Sequence, residues 1–171
     1  VNVSADNENL RITATGYDLK GNVNNTWIST WSVNDTDARL GPDPNDPANG
    51  QKRVFIPGNV GQWMITCELK EFGFTIVTAN IKLNVSHGVV DHIDVTPKDQ
   101  ITTAGSTIQY SAVVYDQKNN SIPSNPTWST DDPKGNISSG LYGAGQNGTW
   151  NIVCTVDQIS GSTSVTVNKG P

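Results

Sequence analysis

Apolar and polar residues alternate along this chain with a period of two. From Trp150 to Val156, the residues Trp150, Ile152, Cys154 and Val156 fall on one face and Asn151, Val153 and Thr155 on the other, the pattern of a half-buried strand. An earlier segment repeats it: Trp63, Ile65, Cys67 and Leu69 share one face, and Gln62, Met64, Thr66 and Glu68 the other. Further strands are predicted over 10–18, 26–33, 53–56, 74–85, 92–96, 107–116, 127–130, 137–142 and 162–168, punctuated by Gly, Pro, Asn and Asp. No segment has helical periodicity. Many short strands separated by turn residues predict an all-β sandwich or barrel.

The chain also repeats itself. Tyr17, Asp18, Leu19, Lys20, Gly21, Asn22 returns as Tyr115, Asp116, Gln117, Lys118, Asn119, Asn120 at an offset of 98, and Thr30, Trp31, Ser32 returns as Thr127, Trp128, Ser129 at 97. Gly61, Gln62, Trp63, Met64, Ile65, Thr66, Cys67 then returns as Gly148, Thr149, Trp150, Asn151, Ile152, Val153, Cys154 at 87. The order is kept while the offset shrinks, so the first copy carries a ten-residue insertion between Val33 and Arg53. Gly41, Pro42, Pro44, Pro47 and Gly50 predict a loop there, over about 34–52. The expected organisation is two tandem immunoglobulin-like β-sandwich domains, 1–87 and 88–171, joined by a short junction at 86–91.

The second copy resembles bacterial Ig-like domains of the invasin and intimin type. The resemblance rests on Ile93, Asp94, Val95, Thr96, Pro97, then Thr103, Ala104, Gly105, Ser106, then Tyr115, Asp116 and Trp128, Ser129, in that order. It covers nearly all of the second copy and less of the first. Val1 aligns with Asp99, so the first copy is expected to lack the strand equivalent to 92–96, either cut away from the sequence or supplied by a neighbour, and to leave an open sheet edge. Domains of this type act as stalks and adhesive tips of microbial surface proteins and as spacers in secreted enzymes. The resemblance therefore implies an extracellular or cell-surface setting, with neighbouring Ig-like domains as partners.

Composition narrows the function classes. Only 16% of the residues are charged and 35% are hydrophobic, so Asn, Ser, Thr and Gly supply the polarity. The net charge is -5, with seven basic and nine acidic residues in 1–88 and four and seven in 89–171. Nucleic acid and anionic lipid need clustered Lys and Arg and are poor partners for this surface. No apolar run approaches the roughly 18 residues that span a bilayer, so no membrane insertion by these residues is expected.

Candidate chemistry is sparse. Cys67 and Cys154 occupy equivalent positions, one per copy, which precludes a disulfide within either; both are read as small buried hydrophobes. Trp31, Trp128, Trp63 and Trp150 match in pairs and are read as core. Trp27 has no Trp counterpart and is the candidate exposed ligand contact, for host or envelope glycans or proteins. His87 and His92 flank the junction with Asp91 between them, a set that could ligate a metal; without a further firm ligand it is read as an exposed linker. Asp35, Asp37, Asp43 and Asp46, with Asn45 and Asn49, offer hard oxygen ligands for Ca²⁺ in the inserted loop, without EF-hand spacing. Asn-X-Ser/Thr triplets begin at Asn2, Asn24, Asn34, Asn84, Asn119, Asn136 and Asn147, about twice the chance expectation for this composition, and are candidate N-glycosylation sites. There is no G-x-S-x-G, H-E-x-x-H, P-loop or G-x-G-x-x-G motif, and no catalytic set is predicted. The order of expectation is a structural stalk or spacer first, a carbohydrate- or protein-binding module second, and an accessory part of a larger secreted enzyme third.

Overall fold

A computed structural model describes residues 1–7, 10–24, 28–45, 51–71 and 74–170. The chain divides into two compact units, Val1–Gly88 and Val89–Pro171. Both are all-β, and each is an Ig-like β-sandwich.

The first unit contains β1 (Asn2–Ser4), β2 (Leu10–Thr13), β3 (Gly16–Tyr17), β4 (Val23–Asn24), β5 (Ile28–Val33), β6 (Arg39–Pro42), β7 (Lys52–Ile56), β8 (Gly61–Glu71) and β9 (Phe74–Ser86). One layer is the sheet β1-β9-β8-β5; the other is made of β2-β7-β6 and the small ladder β3-β4. The second unit opens with β10 (Val90–Thr96) and continues with β11 (Gln100–Thr103), β12 (Thr107–Gln109), β13 (Ser111–Asp116), β14 (Ser121–Ile122) and β15 (Thr127–Thr130). It ends with β16 (Asn136–Ser138), β17 (Leu141–Gly143), β18 (Gly148–Val156) and β19 (Ile159–Asn168). Its sheets are β11-β19-β18-β15, β12-β17-β16 and β10-β13-β14. Among the described residues, every strand of the first unit has a counterpart in the second, and β10 alone has none in the first.

The central hairpin of each unit follows from the alternation seen in the sequence. In the second unit β18 and β19 pair from Gly148↔Val167 to Val156↔Ile159 across a turn at Asp157 and Gln158, both with positive φ (49° and 75°). Such a two-residue turn matches the twist of the flanking strands. The inward residues Ile152, Cys154 and Val165 are fully buried, with Ile93, Val95, Val114, Tyr110 and Tyr142 opposite them in one cluster. In the first unit Ile12, Phe55, Ile65 and Leu83 form the corresponding cluster, with Val3, Ala5 and Val85 in a second. The pair Trp31↔Cys67 recurs as Trp128↔Cys154 in the same cross-strand register.

The segment 34–52, expected to be a loop, contains a strand. β6 pairs with β7 from Arg39↔Ile56 to Pro42↔Arg53, just as β16 pairs with β17. Pro42 is tolerated because β6 has a partner on one side only. The insertion is thus confined to the connection between β6 and β7, and this edge hairpin reads as loop because its residues are turn formers. The run 10–18 also breaks into two ladders, β2 with β7 and β3 with β4.

Burial at matched positions sets the expected cost of truncation. Ile152→Ala, at a site with no solvent exposure, should lower the stability of the second unit by roughly 3 kcal/mol. Val77→Ala, at a site 49% exposed, should change the first by less than about 0.5 kcal/mol. Urea unfolding of the two variants against the parent chain measures both.

Candidate functional site

The carboxylates read as calcium ligands serve the fold where they are described. Asp35 follows β5 and is buried, 3% exposed. It accepts hydrogen bonds from the Asn59 amide group (2.8 Å), the Asn59 and Gly58 backbone N–H groups (3.0 and 3.2 Å) and the Asp37 N–H (3.1 Å). Burial alone would raise its carboxyl; those donors, Asn59 first, bring it below the usual carboxylate range. Asp37 accepts a second N–H of the Asn59 amide at 2.8 Å. Asp43, also 3% exposed, accepts the Asn45 N–H at 2.9 Å and lies 3.6 Å from the Arg11 guanidinium. Asp46 and Asn49 lie outside the described residues. Among the described residues no three of His, Cys, Asp and Glu form a group suited to a metal ion.

The counterpart of Asp35 explains its position. Asp132 follows β15 as Asp35 follows β5. It accepts from the Tyr142 hydroxyl (2.7 Å) and from the backbone N–H groups of Gly145 (2.8 Å), Lys134 (3.0 Å) and Gln146 (3.2 Å). Burial would push its carboxyl up, but these donors, led by Tyr142, outweigh it and bring the carboxyl down to about 2. Burial, then the bond to Asp132, pushes the Tyr142 phenol well above its usual range. The Trp63 indole donates to Asn59 O (2.7 Å) and the Trp150 indole to Gln146 O (2.8 Å), so each buried carboxylate and each indole clamp the same loop. A Cβ on Gly148 would lie 2.7 Å from the Trp150 ring; glycine there lets the indole cross the backbone.

The Tyr-Asp repeat is a turn device. Asp116 accepts from the Lys118 and Asn120 N–H groups, both at 2.9 Å, and Asp18 accepts from Lys20 and Asn22, both at 2.8 Å. A carboxylate that accepts from the backbone two and four residues on closes the loop between neighbouring strands.

The remaining candidates are dispersed. Cys67 and Cys154 are buried and free, and burial pushes both thiols up, which makes them poor nucleophiles. Trp27 lies outside the described residues. His92 Nδ1 is 2.9 Å from Asp91, and its ring stacks on Tyr115 with centroids 5.0 Å apart. His87 belongs to the other unit. Asn2, Asn34, Asn84, Asn119, Asn136 and Asn147 are all exposed, and the side chain of Asn24 is not described. Asn2 and Asn84 face each other across β1 and β9 instead of lying in turns, and Asn136 is on β16.

An apolar groove of about 440 Å³ runs between the 13–17 segment and the β8–β9 hairpin, with Ala14, Gly16, Trp31, Cys67, Leu69 and Ala79 in its walls. Its outer rim is open: Tyr17 is 58% exposed and Val77 49%. Apolar walls with few polar groups suit an aliphatic occupant.

No family model matches the chain, and no curated protein matches it. Solved structures do. The extracellular cadherin domains 1–5 of protocadherin gamma B2 align over 99% of this chain and 38% of theirs, with a TM-score of 0.53 and 11% identity. InvD of Yersinia pseudotuberculosis aligns over 99% of this chain and 55% of its own, at 0.49 and 21%. Domains 1–6 of the surface-layer protein SbsC align over 97% of this chain at 0.46 and 18% identity, and this chain spans only 24% of their length. At these identities the likeness is one of fold, a tandem β-sandwich.

The Asp132 clamp predicts a measurable linkage. Its folded-state pKa lies below the ordinary 3.8, so its stabilisation is complete above that value and is lost as pH falls from about 4 through about 2. Asp132→Ala should lower the stability of the second unit by roughly 3 kcal/mol, because the Tyr142 hydroxyl and three loop N–H groups lose their acceptor. It should also flatten the acid limb of a stability-against-pH curve taken by urea titration.

Proposed function

We propose that this chain is a non-catalytic pair of repeats from a cell-surface or secreted protein, serving as a stalk or spacer of Ig-like domains. The observation that carries the reading is the repeated assignment of polar side chains to structure. Asp35 and Asp132, Asp18 and Asp116, and Trp63 and Trp150 hold the same loops in both units. Groups with chemical potential are tied to backbone N–H and C=O, which is the economy of a load-carrying scaffold. The extracellular setting draws support from the sequence resemblance of the second copy and from the uncharged polar surface. The fold it shares with protocadherin extracellular domains is compatible with it.

The exposed sequon residues Asn2, Asn34, Asn84, Asn119, Asn136 and Asn147 are the proposed N-glycan acceptors. Neighbouring Ig-like domains of the same surface assembly are the proposed partners.

Membrane-impermeant biotinylation of intact host cells, followed by mass spectrometry of cells and medium, tests the reading. Labelled Lys20 and Lys98, both exposed, are expected without lysis, or the chain is recovered from the medium, with glycan mass on sequon peptides. Label that requires lysis, with all sequon peptides unmodified, would contradict it.

A further inference from the structure

The same cap on the central strand is built from different residues in the two units. In the second unit Asp131 lies just after β15 and receives two hydrogen bonds from Asn151 of β18. The Asn151 backbone N–H donates to Oδ1 at 2.6 Å and its side-chain Nδ2 to Oδ2 at 2.8 Å. In the first unit Asn34 lies just after β5, and Met64 takes the place of Asn151 on β8. The Met64 N–H donates to Asn34 Oδ1, again at 2.6 Å. The backbone bond is kept and the side-chain bond is gone, because a thioether stands where Asn151 presents its amide.

Asn34 serves this cap with one atom only. Its oxygen must face the Met64 N–H, since an amide nitrogen does not accept, so Nδ2 turns to the place of Asp131 Oδ2, beside the Met64 side chain. Among the described residues Nδ2 has no hydrogen-bond partner, and both Asn34 and Thr36 of its Asn-Asp-Thr triplet are exposed. Met64 is half-buried on the outward face of the sheet, with Lys82 opposite it on β9. Among the described residues no backbone N–H holds the side-chain oxygen of Asn2, Asn84, Asn119, Asn136 or Asn147. Asn34 is the sequon residue whose amide is oriented before any sugar arrives.

An N-linked sugar uses the atom left over. Attachment forms a bond from Nδ2 to the anomeric carbon, and the bond from that carbon to the phosphate oxygen of a lipid-linked diphosphate donor breaks. The diphosphate leaves with the electron pair, and Nδ2 gives up one proton. Oδ1 takes no part, so the bond from the Met64 N–H survives the reaction. Asp131 has no such nitrogen to offer.

We infer that Asn34 carries a seated N-glycan, whose first sugar lies along the outward face of the first unit with the C–H face of its ring on Met64. This rests on the extracellular reading above and deepens it, naming the acceptor and the side chain that receives the sugar. An amide already held in place loses little further freedom on contact, and a polarisable thioether without hydrogen-bonding demand suits the apolar face of a hexose ring.

Met64 is the only methionine of the chain, so its oxidation to the sulfoxide reads the contact directly. The full chain is produced through a secretory pathway competent in N-glycosylation, and mass spectrometry follows site occupancy and the rate of Met64 oxidation by hydrogen peroxide. Thr36→Ala removes the sequon and keeps the cap; Asn34→Asp reproduces the carboxylate of the second unit. Glycan is expected on Asn34, and Met64 beside it should oxidise about fivefold more slowly than in either variant. Glycan on other sequons with Asn34 bare would overturn the inference and leave the extracellular reading standing. Equal Met64 rates in the Asn34-occupied chain and in Thr36→Ala would overturn the seating of the sugar. Absence of glycan from every sequon would overturn the inference together with the glycan assignment it rests on.

Discussion

A sheet with one apolar face must cover that face, and this requirement organises both halves of the molecule. The β8–β9 and β18–β19 hairpins turn Ile65 and Cys67, or Ile152 and Cys154, toward a second layer. In the second unit that layer leaves Ile152, Cys154 and Val165 with no exposure. In the first the same face is covered at one end by Phe55 and Leu83 and left open at the other, where Val77 and Ala79 reach solvent. The shared core makes the two sandwiches alike.

Loops are held by a second device, the buried or turn-closing carboxylate. Asp35 and Asp132 lie where a strand ends and two loops meet, a place where backbone N–H groups would otherwise be stranded. Several N–H donors on one carboxylate favour its ionised form and offset the cost of burying it. Tyr142 adds a hydroxyl donor in the second unit, whereas Phe55 fills the matched position of the first and leaves Asn59 to provide the extra donor. The same problem is solved twice with different side chains.

Much of this was legible in the sequence. The period-two alternation located β8, β18 and the long strands after them, and the Trp and Cys repeats fixed their alignment. The correspondence of Asn34-Asp35 with Asp131-Asp132 after the Trp-Ser pair was also there to be read. It was overshadowed by the acidic composition of the insertion, which suggested calcium. Short strands such as β4, β6 and β14 were not legible, because two to four residues carry no periodicity of their own. The groove was equally hidden: Val77 and Ala79 look like core residues of a strand, and only the three-dimensional comparison with β19 shows them uncovered.

Hydrogen–deuterium exchange of backbone amides in the unmodified chain tests the central claim, that both sandwiches are organised around the same central hairpin core. The central residues of β8 and β18 should show comparable protection and exchange at least roughly tenfold more slowly than the exposed turn residues 19–21 and 117–119. Protection of β18 with exchange throughout β8 as fast as in the turns would contradict the account.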